Sequence, residues 1–313
     1  MGIRLSVLDT SPVVQGSTPR QALRDTVDLA ELAEELGFHR YWVPEHHGMR
    51  GVASSAPAVL AGHLAAVTSR LRIGAGGVLL PNHPPLVVAE QFGTLAALHP
   101  GRIDLGVGRA PGGPPHVVAS LRRTGEPYRS QLEELLALLD PAGTVAVPVR
   151  GGNVPSPWLL GSSPATAALA AELGLPFAFA RHLSPDRACQ ADLVSVSVIA
   201  AEDDARAQWL AGPIRAKVRS RREGTRILLP HPDDVPHPDD MPASPDDGRV
   251  LVGGPETITR KLQAVLDETG TEELMITSPI YHHADRRRSY ELVAAVGAGL
   301  RPAGGASLPP RDH

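Results

Sequence analysis

The chain has 313 residues, of which 42% are hydrophobic and 20% charged, a composition typical of a globular protein with a large core. With 30 basic and 34 acidic residues the formal net charge is −4, which gives no electrostatic basis for binding nucleic acid or an anionic membrane. A single cysteine, Cys189, excludes an internal disulfide framework. Because the sequence shows neither a secretory signal nor a run of about 18 apolar residues, we expect a cytoplasmic protein.

Along the chain, short apolar runs alternate with longer amphipathic segments. The runs that predict strands cover residues 3–8, 38–43, 71–78, 103–107, 158–160, 176–180, 193–200 and 272–277. Helical periodicity predicts helices over residues 19–36, 57–67, 86–98, 132–139, 164–173, 257–268 and 287–300. Eight strands that alternate with helices predict an α/β protein with a parallel sheet, either closed as a TIM (β/α)8 barrel or open and doubly wound.

Two segments depart from this alternation. Only residues 181–192 separate predicted strands six and seven, which is barely enough for a crossover that contains a helix. Residues 231–247, before the last helix pair, contain five prolines and six aspartates. This composition predicts a short flexible loop rather than a metal site, and residues 302–313 are predicted to form a disordered tail.

Two adjacent histidines follow the second predicted strand, in the sequence Glu45-His46-His47. Because neighbouring side chains on an extended segment point to opposite sides, these two imidazoles are not expected to bind one metal ion together. An imidazole that faces the mouth of a barrel can act as an acid, a base or a hydrogen-bond donor near neutral pH. A capping or packing role is the alternative for at least one of them.

A glycine-rich segment, Gly74 to Gly77, ends the third predicted strand. Glycines there permit a close approach of the backbone to a flat ligand, or simply a turn at the strand end. The dinucleotide-binding pattern Gly-x-Gly-x-x-Gly is absent, because position 79 is leucine.

A phosphate site is suggested by the ends of predicted strands four and five. Arg109 follows strand four among small residues, and Ser162, Ser163 and Thr166 lie at the start of the helix after strand five. A guanidinium group can grip a phosphate, and the N–H groups and positive dipole end of a helix attract an anion. Together these residues suggest one phosphate held from two sides, although Ser163 could also be a plain N-cap.

Taken in order, these motifs resemble those of the bacterial luciferase-like flavin-dependent monooxygenase family. The resemblance runs from residue 3 to about 180 and returns over residues 250–292. It is carried by Tyr-Trp-Val-Pro-Glu-His-His at 41–47, Ile-Gly-Ala-Gly-Gly-Val-Leu-Leu-Pro at 73–81, Ala-Glu-Gln-Phe at 89–92, His-Pro-Gly-Arg-Ile-Asp-Leu-Gly-Val-Gly-Arg at 99–109, Leu-Gly-Ser-Ser at 160–163 and Val-Gly-Gly-Pro-Glu-Thr at 252–257. The segments 5–9 and 160–163 resemble a subgroup associated with antibiotic biosynthesis.

The resemblance implies a single TIM-barrel domain over residues 1–301 that binds FMN at the carboxyl ends of its strands. Carried over by position, Arg109, Ser162, Ser163 and Thr166 would hold the flavin phosphate. Gly76 and Gly77 would lie against the isoalloxazine ring, where the family often has a non-proline cis peptide. His46 matches the active-site histidine of the family, and His47, Asn82 and His83 would line the substrate pocket. No metal is implied.

The activity implied by the resemblance is a monooxygenase reaction. Reduced FMN, supplied by a separate flavin reductase, reacts with O₂ to form a C4a-peroxyflavin, and a small organic substrate receives one oxygen atom. Members of the family usually form homodimers through their early helices. The substrate itself cannot be deduced from these residues.

This sequence departs from the family in two places. The crossover after residue 180 usually contains a full helix, and the segment over residues 212–249 is usually longer and helical, whereas here both are short. Two other functions therefore stay open. One alternative is hydride transfer with the deazaflavin F420, which related members perform, although no extra basic cluster is evident for its long anionic tail. The other is a degenerate flavin-binding protein without catalytic activity.

Overall fold

The computed structural model describes residues 2–121, 123, 125–145, 147–148, 153–187, 189–236 and 249–303. The strands are β1 (Arg4–Leu8), β2 (Arg40–Val43), β3 (Arg72–Leu79), β4 (Ile103–Gly108), β5 (Ser156–Gly161), β6 (Phe177–Phe179), β7 (Leu193–Ala200), β8 (Val250–Gly253) and β9 (Glu273–Thr277). The helices are α1 (Pro19–Glu35), α2 (Pro57–Val67), α3 (Pro85–Leu98), α4 (Pro115–Val118), α5 (Tyr128–Leu139), α6 (Pro164–Glu172), α7 (Asp204–Arg222), α8 (Pro255–Thr269) and α9 (His283–Gly297).

Eight of the strands close into a parallel barrel. The pairing runs from β1 through β6 in chain order, then from β6 to β7, from β7 to β9, and from β9 back to β1. Helices lie between consecutive strands, except between β6 and β7, as is typical of parallel crossovers. The prediction of a TIM (β/α)8 barrel is therefore confirmed, and the open doubly wound sheet is excluded.

A ninth strand, β8, was not predicted. Ser197 of β7 pairs with Val250 of β8 and with Thr277 of β9, so these two partners lie on opposite edges of β7. Val194 pairs with both Phe179 of β6 and a residue of β9, which puts β6 and β8 on the same edge. Because β6 has only three residues, β8 covers the part of that edge that β6 leaves unpaired.

The inward-facing side chains fill the barrel in layers. At the amino end, the Arg40 guanidinium binds Asp104 at 2.8 Å and Glu273 at 2.6 Å, all three buried. Above this layer the rings of Trp42 and Trp158 pack edge to face, 5.5 Å apart. The intervening, outward-facing strand residues pack against the helices in the main core. The amino end and the middle are thus filled by side chains, which leaves the carboxyl end for function.

The short crossover between β6 and β7 is confirmed. Among its described residues only a 3₁₀ turn, Arg181–Leu183, takes the place of an α-helix. The next crossover differs from expectation, because no helix was predicted over α7. Asp203 caps α7 by accepting a hydrogen bond from the Arg206 N–H at 2.7 Å, and Pro213 lies inside the helix. The helix was not predicted because proline is unfavourable in the interior of a helix, and Pro213 lies in the middle of this segment.

The Pro/Asp-rich segment is described only in part. Residues 231–236 contain a 3₁₀ turn at Pro232–Asp234, and the rest of the predicted flexible loop, 237–247, lies outside the described residues. The predicted disordered tail also lies outside them from residue 304 onward. Within the described parts of the chain, no helix is both long and apolar enough to cross a membrane.

Candidate active site at the barrel mouth

The predicted site residues come from four successive strands and meet at the carboxyl rim of the barrel. His46 and His47 follow β2, Gly76 and Gly77 lie in β3, Asn82 and His83 follow β3, Arg109 follows β4, and Ser162, Ser163 and Thr166 follow the last residues of β5. The pairing of β2 to β3, β3 to β4 and β4 to β5 makes these ends neighbours. The fold therefore brings every predicted site residue to one rim.

Gly76 and Gly77 of β3 are joined by a cis peptide, as the resemblance implies. The strand register shifts at this point, between Ala75 and Val78. A Cβ atom on Gly76 would come within 2.9 Å of Leu8 Cδ1, and one on Gly77 within 2.7 Å of the carbonyl oxygen of Gly106. Close packing inside the barrel is thus a sufficient reason for both glycines.

Glu45 is the centre of a hydrogen-bond cluster at the rim, and sequence reasoning did not identify it. Its buried carboxylate accepts hydrogen bonds from His47 Nε2 at 2.6 Å, His83 Nε2 at 2.9 Å, Asn82 Nδ2 at 3.1 Å and the Leu79 N–H at 3.0 Å. Burial alone would raise the pKa of Glu45, but the hydrogen bonds from the two histidines and the backbone outweigh it and hold the pKa below its ordinary value.

The ionised Glu45 determines how its neighbours are oriented. A carboxylate only accepts hydrogen bonds, so His47 and His83 both carry a proton on Nε2, and their Nδ1 atoms are acceptors when the rings are neutral. The three predicted pocket residues, His47, Asn82 and His83, therefore all bind one carboxylate. The sequence did contain a signal for this role, because Glu45 follows a buried strand. An acidic side chain that is buried there needs hydrogen-bond donors.

His46 has a different environment from its neighbour His47. Its Nδ1 atom is buried and has no hydrogen-bond partner among the described residues. Burial and the nearby His47 lower the pKa of His46, while the charge of Glu45 opposes this change. At neutral pH the imidazole is consequently uncharged and able to accept a proton.

A further histidine, His182, lies on the same rim and was missed because it sits in the shortened crossover. Its Nδ1 atom lies 2.6 Å from Ser195 Oγ, which in turn donates to the carbonyl oxygen of Phe179 at 3.3 Å. Burial, together with the charge of His46, lowers the pKa of His182 to about 4. A positive charge on either of these imidazoles disfavours a positive charge on the other.

The candidate phosphate residues leave donors free for a ligand. Arg109 is exposed and makes no hydrogen bond or ion pair within the described parts of the chain. Ser163 occupies the N-cap position of α6, but its hydroxyl lies 3.1 Å from Thr166 Oγ1 instead of capping the helix. The backbone of Ser162 accepts a hydrogen bond from Arg187 at 3.3 Å. An unpaired guanidinium, two hydroxyls and a helix N-terminus fit a phosphate group.

No three histidine, cysteine, aspartate or glutamate side chains within the described ranges are arranged to hold a metal ion. The groups that the rim brings together are imidazoles, an exposed guanidinium and hydroxyls.

Comparison with known proteins places this chain among relatives of one family. The family model described as luciferase-like monooxygenase matches residues 3–202. The chain is 40% identical to a luciferase-like monooxygenase of Escherichia coli K12, over 94% of this chain and 97% of that protein. It is 32% identical to the N-acetyl-S-alkylcysteine monooxygenase of Bacillus subtilis, over 96% of this chain and 100% of that protein.

Solved structures share the same fold. The crystal structure of apo-MsnO8 is 39% identical and superposes with a TM-score of 0.86, over 96% of this chain and 99% of that chain. More distant structures show the fold alone: the FMN complex of the oxygenating constituent of 3,6-diketocamphane monooxygenase from Pseudomonas putida (20% identity, TM-score 0.75, 97% and 100% coverage) and an F420-dependent tetrahydromethanopterin reductase from Methanopyrus kandleri (14% identity, TM-score 0.60, 94% and 97% coverage). On the family match and the two monooxygenase relatives, the chain belongs to the luciferase-like monooxygenase family.

Proposed function

We propose that the protein is a flavin-dependent monooxygenase that uses reduced FMN and O₂ to oxygenate a small organic substrate. The observation that carries the proposal is the position of an unpaired guanidinium, two hydroxyls and an uncharged imidazole on one rim. Arg109, without an ion-pair partner among the described residues, follows β4, and the hydroxyls of Ser163 and Thr166 follow the neighbouring β5. His46 follows β2 on the same rim.

In this proposal Arg109, Ser162, Ser163 and Thr166 hold the FMN phosphate, and Gly76 and Gly77 belong to the side of the site that receives the flavin ring. Reduced FMN, when bound, supplies the electrons that activate O₂. The neutral imidazole of His46 accepts a proton or a hydrogen bond from the reacting oxygen.

The remaining rim residues shape the pocket around this centre. Glu45 holds His47, Asn82 and His83 in place through its hydrogen bonds, so that these side chains form a fixed wall on the substrate side. A closed wall excludes water, which would otherwise divert the reaction toward release of hydrogen peroxide.

The protein also needs a source of reduced flavin. We propose a separate flavin reductase, because the glycine-rich dinucleotide pattern is absent from the segments after strands three and four. F420-dependent hydride transfer is the alternative, since a phosphate site would also accept the phosphodiester of that cofactor. A non-catalytic flavin-binding protein is the second alternative, favoured by the short crossover at Arg181–Leu183.

Flavin titration with spectral detection tests the central claim. We expect saturable binding of FMN, binding of reduced FMN, and weaker binding of F420. Arg109→Ala should weaken FMN binding by about 1.5–3 kcal/mol, the scale of a charge-assisted hydrogen bond. Arg50→Ala, an exposed arginine in the loop after β2, is the control and should bind FMN as the wild type does.

Each outcome of the titration has a definite reading. Absence of any spectral change with either redox state of FMN would exclude the proposed cofactor, and tighter binding of F420 would favour hydride transfer. Tight FMN binding without any oxygen reaction of the reduced form would favour the non-catalytic alternative. Unchanged FMN affinity in Arg109→Ala would mean that the phosphate is held elsewhere.

We further propose a homodimer formed through α2 and α3. Five large apolar side chains on these helices are exposed: Val59, Val67, Leu86, Val87 and Leu98. The two helices lie side by side, since a Cβ atom on Gly62 of α2 would come within 3.1 Å of Leu95 on α3. Exposed apolar groups concentrated on neighbouring helices are typical of a protein interface.

A further inference from the structure

A cluster of three rings lies on the carboxyl side of the barrel, among residues that the candidate active site does not include. His231 precedes the 3₁₀ turn Pro232–Asp234 that follows α7, whereas Tyr281 and His282 follow β9. The rings pack edge to face in all three pairs, with centroids 5.0, 4.9 and 4.9 Å apart. The Nε2 atoms of the two histidines are 3.0 Å apart. Two imidazole nitrogens from distant parts of the chain therefore meet at one point.

The loop after β1 holds this cluster together. The carbonyl oxygen of Leu229 accepts a hydrogen bond from the Gln15 N–H at 2.9 Å. The Tyr281 hydroxyl donates to the carbonyl oxygen of Gln15 at 2.8 Å. Gln15 thus joins the segment that carries His231 to the loop that carries His282. The two imidazoles are positioned by the fold itself, which lowers the entropy cost of binding a ligand between them.

The contact between the imidazoles is a hydrogen bond that is open to exchange with solvent. His231 Nδ1 accepts a hydrogen bond from the Asp233 N–H at 3.1 Å, so the neutral ring carries its proton on Nε2 and donates it to His282 Nε2. His282 is exposed, and the side chain of His231 is 32% exposed. An ion in solution can therefore reach both nitrogens.

The spacing of the two nitrogens is that of neighbouring ligands of one metal ion. An imidazole nitrogen binds a divalent first-row ion at about 2.0–2.1 Å, so two nitrogens at a right angle are about 2.9–3.0 Å apart. A tetrahedral angle would separate them by about 3.3–3.4 Å. Right angles are typical of Cu²⁺ and Ni²⁺ with nitrogen and oxygen ligands. The observed 3.0 Å therefore favours these ions over Zn²⁺.

A carboxylate lies beside the other ring nitrogen of His231. Asp233 Oδ2 is 3.6 Å from His231 Nδ1. When Nε2 binds an ion, its proton moves through solvent to Nδ1, which then becomes a donor. Metal-binding histidines almost always donate this second N–H to a carboxylate, a carbonyl oxygen or water. Asp233 can thus fix the tautomer of His231 that binds an ion.

We propose that His231 and His282 form a binding site for one divalent transition-metal ion, preferentially Cu²⁺ or Ni²⁺, with Asp233 as the acceptor for His231 and water as the remaining ligands. The inference is independent of the proposed flavin chemistry. Within the described parts of the chain, no third side chain joins the pair as a ligand. A bound ion cross-links the segment after α7 to the loop before α9, and so stabilises the folded chain.

The composition of residues 231–247 by itself favours a loop over a metal site, because the second ligand is not in that segment. His282 lies 51 positions after His231, and only the fold brings the two rings into contact.

Titration of the whole protein with Cu²⁺, Ni²⁺, Zn²⁺ and Mg²⁺, followed by calorimetry, tests the site. We expect one equivalent of Cu²⁺ to bind more tightly than Zn²⁺, and Mg²⁺, which prefers oxygen ligands, not to bind. Bound Cu²⁺ should raise the unfolding temperature. The electron paramagnetic resonance spectrum of the Cu²⁺ complex should show two nitrogen ligands, a result that requires no substitution.

Replacing either histidine should abolish this binding. His231→Gln and His282→Gln should each weaken Cu²⁺ binding by about 100-fold or more, since loss of an outer-shell partner alone costs about 10- to 100-fold. Both variants should also lose the rise in unfolding temperature with Cu²⁺. The His282 side chain does not cap α9, so its replacement should leave that helix intact. Asp233→Ala should weaken Cu²⁺ binding by about 10-fold.

The matched control is His116→Gln, which removes an exposed imidazole on α4 and should bind Cu²⁺ as the wild type does. Failure of the wild type to bind Cu²⁺ or Ni²⁺ at micromolar concentrations would overturn the inference. So would a spectrum with a single nitrogen ligand, or wild-type affinity in either His231→Gln or His282→Gln. Unchanged affinity in Asp233→Ala would remove the carboxylate from the site.

Discussion

At the scale of single residues, the segment Glu45-His46-His47 shows how neighbours in sequence acquire different chemistry. His47 donates its Nε2 proton to Glu45, whereas the Nδ1 atom of His46 is buried without a partner among the described residues. The alternation of an extended chain turns the two rings to opposite sides. The structure thus separates a histidine held by a carboxylate from one left uncharged at the barrel mouth.

Replacing His46 by alanine should leave FMN binding within about twofold of the wild type, because in the proposed site Arg109, Ser163 and Thr166 hold the phosphate of the cofactor and His46 does not. After the reduced flavin complex of the variant is mixed with O₂, we expect the absorbance of the transient flavin species to decay faster than in the wild type. We also expect more hydrogen peroxide to be released per flavin oxidised. His39→Ala, at the amino side of β2, is the control for loss of an imidazole elsewhere. Unaltered transient kinetics and peroxide yield in His46→Ala would remove this residue from the mechanism.

At the scale of elements, the link from α2 to β3 depends on a residue of α1. The carboxylate of Glu34 accepts hydrogen bonds from the backbone N–H groups of Ser69, Arg70 and Leu71, at 2.9, 2.6 and 2.8 Å. Partial burial opposes ionisation, but these bonds outweigh it and lower the pKa of Glu34 to about 2. A single side chain therefore fixes the chain just before it enters the barrel.

Glu34→Gln should reduce the free energy of unfolding by about 1–2 kcal/mol at pH 7, because an amide oxygen is a weaker acceptor than a carboxylate. The folded-state pKa lies below the ordinary value of 4.5, so the contribution of Glu34 is present above pH 4.5 and is lost as the pH falls toward 2. Urea unfolding at pH 7 and at pH 3 measures both the size and the pH dependence of this effect.

Glu35→Gln supplies the control, since the neighbouring carboxylate is exposed. It should leave the unfolding free energy unchanged at either pH. A difference between Glu34→Gln and the wild type that is as large at pH 3 as at pH 7 would contradict the assignment to the ionised carboxylate.

The element predictions were right where the pattern is local. The helix of residues 57–67 has the predicted bounds, and α1 begins after Thr18, whose hydroxyl accepts from the Gln21 N–H at 3.2 Å. They were wrong for α7 and β8. Proline at 213 masks the periodicity of α7, and β8 has four residues whose strand conformation depends on the open edge of β7.

At the scale of the whole molecule, the exposed apolar faces of α2 and α3 should pair two chains. Val59→Lys puts a charge where the side chain is 75% exposed, so the folded monomer should tolerate it. Because a twofold interface contains each substitution twice, we expect the variant to be monomeric at concentrations where the wild type is a dimer. Light scattering coupled to size-exclusion chromatography measures the mass directly.

The comparison variant for this prediction is Val145→Lys, a similarly exposed valine after α5 and outside the proposed interface. It should retain the mass of the wild type. A monomeric wild type, or a dimer that persists in Val59→Lys, would contradict pairing through this face.

The sequence by itself determined the alternation of strands and helices, the order of the rim motifs and the family resemblance that the family match confirms. These features are written in residues that are neighbours along the chain, since periodicity and motif spacing are local. The assignment of His46, Arg109, Ser163 and Thr166 to roles in the site stays a prediction.

Tertiary structure alone decided which groups meet at the mouth. Glu45 contacts His83 across 38 positions in sequence, and His182 contacts Ser195 on the next strand. Only the tertiary fold brings such groups together, and only burial shows whether a polar atom needs a partner. That is why the hydrogen bonds of the buried Glu45 carboxylate could not be deduced from the sequence.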